Sequence, residues 1–232
     1  MNAAAGAVDA GTATMISLIG SLADNKSALG RRYGEWAVSA PTIESAVAAA
    51  AMAQDELGHA RSTYPVLAKL GVERSEDPGL DAGHPLPVIA SELPDWASFI
   101  AANLVVDGVL TTFVASARDS SLEPLAQRAR KILQEEGAHR VHGEAWVRRI
   151  VRVGGQDLEL LKQRIDEMWV SAARWPGPES DAGYAEAVSV GMVDSRPAAI
   201  RARVRDWLQP MIDGVSLDEP TDWSDWDGQL RR

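Results

Sequence analysis

The chain has 232 residues, enough for one substantial domain with a small appendage, and its 46% hydrophobic and 24% charged residues exclude wholesale disorder. It has no cysteine, which removes disulfides, thiolate nucleophiles, iron–sulfur clusters and cysteine-type zinc sites together. Its 33 acidic and 23 basic residues give a net charge of -10, so the chain as a whole offers no electrostatic footprint for nucleic acid or an anionic bilayer. No apolar run approaches a bilayer span, and the N-terminus lacks a basic region followed by an apolar stretch, so a cytoplasmic protein without membrane or nucleic-acid partners is expected.

From about Val8 to Arg174 apolar residues recur at three- and four-residue intervals, the period of amphipathic helices, and the fold class is read as all-α. A first helix carries Met15, Leu18, Leu22, Leu29 and Tyr33 on one stripe and should stop before Pro41. A second opens at that proline and runs to Leu70, where Gly71 ends it. From Gly71 to Pro94 the chain is rich in Pro, Gly, Asp and Ser, the composition of a connection. A third helix starts near Asp95 with Trp96, Ile100, Leu110 and Val114 on one face, and a fourth begins around Pro124 and stops at Gly154 and Gly155. Two helix pairs joined by one long crossover match the ferritin-like four-helix bundle. A fifth helix (about Gln156 to Arg174) closes a bundle domain over residues 1–174. Residues 175–232 are expected to form an extension: a short helix, a last helix from about Pro197 to Ile212, and an acidic tail from Asp213 with Trp223 and Trp226, read as either a mobile end or a docking strip.

Two of the four histidines stand three residues after a glutamate, in Glu56-Leu57-Gly58-His59 and Glu136-Gly137-Ala138-His139. Residues three apart project from one helix face, so each pair can offer a carboxylate and an imidazole to a common point. Both pairs continue the inward stripes of their helices, and Asp107 does the same on the third. Three buried carboxylates must be protonated, paired with cations or bound to metal. A carboxylate from each of two helices plus Glu-x-x-His from the other two is the di-iron ligand set of such bundles. Here Lys26 stands on the first helix where that scheme wants a glutamate. Two divalent ions beside three carboxylates and an ammonium leave a surplus of two positive charges. One divalent ion with Lys26 charged balances, as does a metal-free cluster with Lys26 and both histidines protonated.

Several segments extend the pattern: Asp24-Asn25, Leu29-Gly30, Glu35-Trp36, Ala40-Pro41-Thr42 with Glu44, Ala53-Gln54-Asp55-Glu56-Leu57-Gly58-His59-Ala60-Arg61 with Tyr64, Val106-Asp107-Gly108, Glu135-Glu136, and Trp175-Pro176-Gly177-Pro178. In these the chain resembles the catalytic and structural ferritin-like subunits of the bacterial phenylacetyl-CoA epoxidase, over most of residues 20 to 180. The resemblance implies that Glu56, His59, Asp107, Glu136 and His139 occupy metal-ligand positions of the catalytic subunit, with Lys26 replacing its first glutamate. The preferred reading is therefore a non-haem iron oxygenase component holding one or two ions. It would activate dioxygen, draw electrons from a separate reductase, and act on an aromatic acyl-CoA-type substrate that the resemblance alone suggests. The alternatives are a metal-free structural subunit with a Lys26-centred ion cluster, and a mononuclear metal protein. Each fits a homo- or hetero-oligomer with a related subunit. His142 is read as a surface or supporting residue, His84 as incidental, Arg148, Arg149 and Arg152 as offsetting a helix dipole, Arg201, Arg203 and Arg205 as a solvated face, and the tryptophans as mostly core.

Overall fold

A computed structural model describes residues 8–74 and 83–232. Among these residues every regular element is helical: α1 (Ala10–Trp36), α2 (Ile43–Lys69), α3 (Pro87–Ala90), α4 (Trp96–Ala101), a π-helical turn (Ala102–Asp107), α5 (Gly108–Ser116), α6 (Glu123–Val153), α7 (Gly155–Ala172), α8 (Ala182–Ser189) and α9 (Pro197–Leu208). The fold is the expected ferritin-like bundle, in which α1, α2, α6 and the continuous rod α4–π–α5 surround a common core.

The helix boundaries follow local chemistry. Asp9, Thr42 and Asp95 sit in extended backbone and accept hydrogen bonds from the N–H groups of Thr12, Ser45 and Ser98, so α2 begins after Thr42 rather than at Pro41. Gly154 ends α6 with a φ of 70°, a conformation glycine adopts without steric cost. The crossover runs partly outside the described residues; its described portion contains α3, which starts at Pro87, where the missing N–H costs no helical bond.

Two expectations need correction. The sequence contains an apolar run long enough for a membrane span, Trp96–Ser116, but most of it is buried inside the bundle, so it is a core helix. That rod is also not uniformly α-helical. The π turn inserts a wider step at its centre, and Asp107 is its last residue. Such turns concentrate at functional sites because they re-aim side chains without breaking the helix.

α1 is enclosed on all sides from Leu18 to Gly30, although Ser21, Asp24, Asn25, Lys26 and Ser27 lie in that stretch. Each has a partner, as burial requires. Ser21 accepts from Trp175 Nε1 at 2.9 Å, Asn25 accepts from Leu86 N–H at 2.8 Å, and Ser27 accepts from Arg31 at 2.9 Å. Asp24 takes Tyr64 OH at 2.8 Å, Arg74 Nη2 at 2.7 and 2.8 Å, and the His84 N–H at 3.0 Å. His84 thus helps tie the crossover to α1 through its backbone.

The tail docks on the bundle. Ser17 Oγ donates to the Gly228 and Gln229 carbonyls, Trp169 Nε1 donates to the Asp218 carbonyl, and Arg231 is 1% exposed and bonded to Ser17, Asp181 and the Pro176 carbonyl. Arg201 is not on a solvated face: it is 3% exposed, donating to the Gly177 carbonyl and to Glu219, while Arg203 and Arg205 remain outside. Only Trp169 and Trp175 are fully enclosed among the tryptophans. Trp146, Trp207, Trp223 and Trp226 instead are partly buried under arginines, Arg149, Arg140, Arg174 and Arg231.

Candidate metal or ion-cluster centre

At the middle of the bundle four elements deliver one charged group each to one point: Lys26 from α1, Glu56 from α2, Asp107 from the π turn and Glu136 from α6. Lys26 Nζ lies 3.1 Å from Glu56 Oε1 and 2.5 Å from Asp107 Oδ1, and it also donates to Glu136 Oε1. Lys26 and Glu56 have no exposed surface at all. The three donors of the ammonium are matched to three carboxylates from three different elements, which is its full donor capacity.

The histidines flank this core. His139 Nδ1 stands 3.2 Å from Glu56 Oε1, 3.3 Å from Glu136 Oε2 and 3.5 Å from Asp107 Oδ2. His59 Nδ1 stands 3.3 Å from Glu136 Oε1 and 4.0 Å from Glu56 Oε2. Their outer nitrogens are held across the α2–α6 seam by the acid preceding each glutamate: His59 Nε2 lies 2.8 Å from Glu135 Oε2, and His139 Nε2 lies 3.2 Å from Asp55 Oδ2. The two Asp/Glu-Glu-x-x-His segments therefore brace each other in a crossed pair. The leading acids, to which spacing alone gives no role, fix ring orientation as carboxylates beside imidazole ligands do.

Electrostatics follow from burial and proximity. Burial opposes the charge on Lys26, but Asp107, Glu136 and Glu56 together raise its pKa well above the ordinary lysine value. Burial pushes Glu56 up to about 7, reinforced by Asp107 and opposed by Lys26. Burial works against Glu136 too, yet Lys26 and the two imidazoles close beside it hold it well below the usual range. His139 is raised despite burial, by the close approach of the Asp107, Glu136 and Glu56 carboxylates. His59 is raised against burial chiefly by Glu136. With Lys26 and both imidazoles protonated, the three carboxylates are formally neutralised by the chain itself.

The fit to metal is limited by Lys26. Glu56, Asp107, Glu136 and His139 each offer a ligand atom, all within 4.8 Å of one another, and Glu56 Oε2, His59 Nδ1 and His139 Nδ1 are buried without a well-aligned hydrogen-bond partner. That set can surround one ion only if the ammonium withdraws from the same oxygens. Two ions do not fit beside a charged Lys26, because three carboxylates cannot neutralise them.

Other residues singled out in the sequence lie apart. His142 is half-buried, edge-on to Trp96 and Phe99, and burial lowers its pKa. Arg148, Arg149 and Arg152 lie on the exposed side of α6, where Arg148 pairs with Glu144.

The sequence along residues 1–232 matches the family described as phenylacetic acid catabolic protein. The chain belongs to that family. Two different subunits of the 1,2-phenylacetyl-CoA epoxidase of Escherichia coli (strain K12) are similar to it. With the first it is 26% identical over 217 residues, covering 91% of this chain and 70% of the relative. With the second it is 28% identical over 156 residues, covering 64% of this chain and 62% of the relative. The chain thus spans under two thirds of the second relative, and it resembles both at similar identity. Membership accounts for the helical bundle.

Proposed function

We propose that this chain is the non-catalytic, structural ferritin-like subunit of a multicomponent oxygenase of the phenylacetyl-CoA epoxidase type, and that the Lys26 ammonium replaces metal at its centre. The observation that carries this reading is the single contact set of Lys26 Nζ, which satisfies Glu56, Asp107 and Glu136 at once in a fully buried position. An ammonium held this way removes the electrostatic need for a cation from solution. The remaining imidazolium charge completes the balance. Chemistry then resides in a related subunit of the same assembly: non-haem iron supplies dioxygen activation there, a separate reductase supplies electrons, and an aromatic acyl-CoA-type compound is the substrate. The assembly is a cytoplasmic hetero-oligomer in this reading.

A second reading rests on a different observation, the three buried donor atoms of Glu56, His59 and His139 that lack aligned partners. In it Lys26 withdraws and one iron is held by Glu56, Asp107, Glu136 and His139, with His59 beside it, giving an oxygenase component with its own centre. Elemental analysis of protein produced with supplied iron and never exposed to chelator separates the two. The structural reading expects folded protein with no stoichiometric metal and a melting temperature unchanged by chelator. About one iron per chain, with melting lowered on its removal, would establish the second reading and overturn the first.

A further inference from the structure

The outward face of α2 is unlike that of a helix turned only to water. Glu44, Val47, Ala51, Gln54, Gly58 and Arg61 are all exposed and follow one another at alternating intervals of three and four residues, the spacing that keeps a seam turned toward one partner helix. Ile43 and Val47 are 74% and 65% exposed, and no residue from Ser45 to Gln54 carries a charge. α6 runs antiparallel alongside, with Trp146 Nε1 bonded to Ser45 Oγ and His139 beside Asp55, and between those two levels it adds Val141, 63% exposed. A contiguous apolar surface rimmed by charge marks a contact with another macromolecule, which scattered exposed residues do not.

We infer that this face is where two copies of the chain pair, α2 against α2, antiparallel about a two-fold axis that passes midway between Ala51 and Gln54. The stripe is its own complement when turned end for end: in that register Glu44 of each copy meets Arg61 of the other, Val47 meets Gly58, and Ala51 meets Gln54. A two-fold contact uses one patch twice, so both charged ends must stand at equal distances from the axis with opposite sign, and Glu44 and Arg61 do. Neither has an ionic partner within the chain among the described residues, so each end is available to the other copy. The equal spacing is what a second copy requires and an unrelated partner does not.

Gly58 supplies the packing. A Cβ there would meet nothing inside the molecule, so the chain's own contacts give no reason for glycine in the interior of a helix, where glycine is unfavourable. A second copy gives one, because Val47 is the one branched side chain of the stripe and needs a gap opposite it. The alternating spacing suits two helices crossing at a shallow angle along the whole stretch from Glu44 to Arg61, with Val141 of α6 at the flank. The contact lies outside the bundle and is independent of what occupies its centre.

Sedimentation velocity of the full chain from about 1 to about 100 μM, at fixed ionic strength, tests the seam. The parent should pass from monomer to dimer over that range. Glu44→Arg and Arg61→Glu each create two like-charge contacts across the axis and should raise the dissociation constant about tenfold or more. Mixed in equal amounts, the two variants should regain the parent's association, because the acids of one then face the bases of the other, and the double variant Glu44→Arg/Arg61→Glu should regain it alone. Gly58→Gln fills the gap that receives Val47 and should give a monomer whose melting temperature is not lowered, which separates lost pairing from lost folding. A chain monomeric throughout, which would leave the face to a different subunit, a dimer indifferent to the charge changes, or a mixture no tighter than either single variant would overturn the homodimer. Metal content, which decides between the two functional readings, is a separate measurement, so either assignment can fail without the other.

Discussion

Replacing Lys26 by methionine keeps most of the stem volume and deletes the charge, which isolates the ammonium's contribution. At an effective dielectric of about 20, a pair about 3 Å apart interacts by about 5 kcal/mol, so three carboxylates lose roughly 15 kcal/mol of gross attraction. The variant avoids most of that by taking up protons. Glu56, already raised to about 7, protonates at almost no cost near neutral pH. Neutralising one further carboxylate with an ordinary pKa near 4 costs about 4 kcal/mol at pH 7, within the range of roughly 3–5 kcal/mol for breaking a buried ion pair. For a domain of this size that is a fall in melting temperature of about 8–16 °C. The pH dependence has a definite sign. Glu136 is held low in the native chain, so its contribution is present above its unfolded pKa and is lost as pH falls through the folded value. In Lys26→Met the remaining carboxylates are raised instead, so the variant gains stability as pH falls. The deficit measured by urea unfolding should therefore shrink between about pH 7.5 and about pH 5. A variant within about 1 kcal/mol of the parent at neutral pH, or a deficit constant across that window, would refute the reasoning that Lys26 is the charged keystone.

Lys26→Glu restores the fourth carboxylate and should convert the cluster to a site that binds two divalent ions, read as metal stoichiometry after incubation with iron or manganese and as chelator-sensitive melting. Asp24→Ala strands Tyr64 OH, the His84 N–H and Arg74 around one lost carboxylate and should cost about 3 kcal/mol in unfolding free energy, with Tyr64→Phe costing about 1 kcal/mol. Asp95 is pushed up by burial but held lower by Arg164 and Ser98, so its stabilisation is present above the unfolded carboxylate value and lost as pH falls through the depressed one. Asp95→Asn should accordingly destabilise by about 1 kcal/mol at pH 7 and by progressively less as pH falls below the ordinary aspartate value of about 4, checked by urea titrations across that range.

The bundle and its centre were legible because they depend on local spacing. Glu56 with His59, and Glu136 with His139, are three residues apart, and Lys26 stands on an apolar stripe, so helix geometry alone brings them inward. The π turn was not legible, because the apolar residues of Ala102–Asp107 fit an α-helical spacing as readily as the wider step. Burial of Asp24 was not legible because α1 is enclosed on every side from Leu18 to Gly30, and a single apolar stripe describes only a helix with one wet face. Arg201 looked solvent-bound because its acceptor, the Gly177 carbonyl, lies 24 residues away. Asp55 and Glu135 were visible in the sequence, yet their role requires knowing that α2 and α6 run side by side with the pairs crossed.

The ammonium at the bundle centre also bears on how such a protein can change over generations. Lysine and glutamate codons differ by a single base, and at residue 26 that one base reverses the sign of the group at the centre of three carboxylates. The remaining five residues of the ligand-like set, and the crossed acids that orient two of them, need no alteration for either state. A lineage can thus pass between a centre that supplies its own cation and one that depends on the metal pool of the cell in one mutational step, and duplicated copies of one ancestor can settle on opposite sides of it.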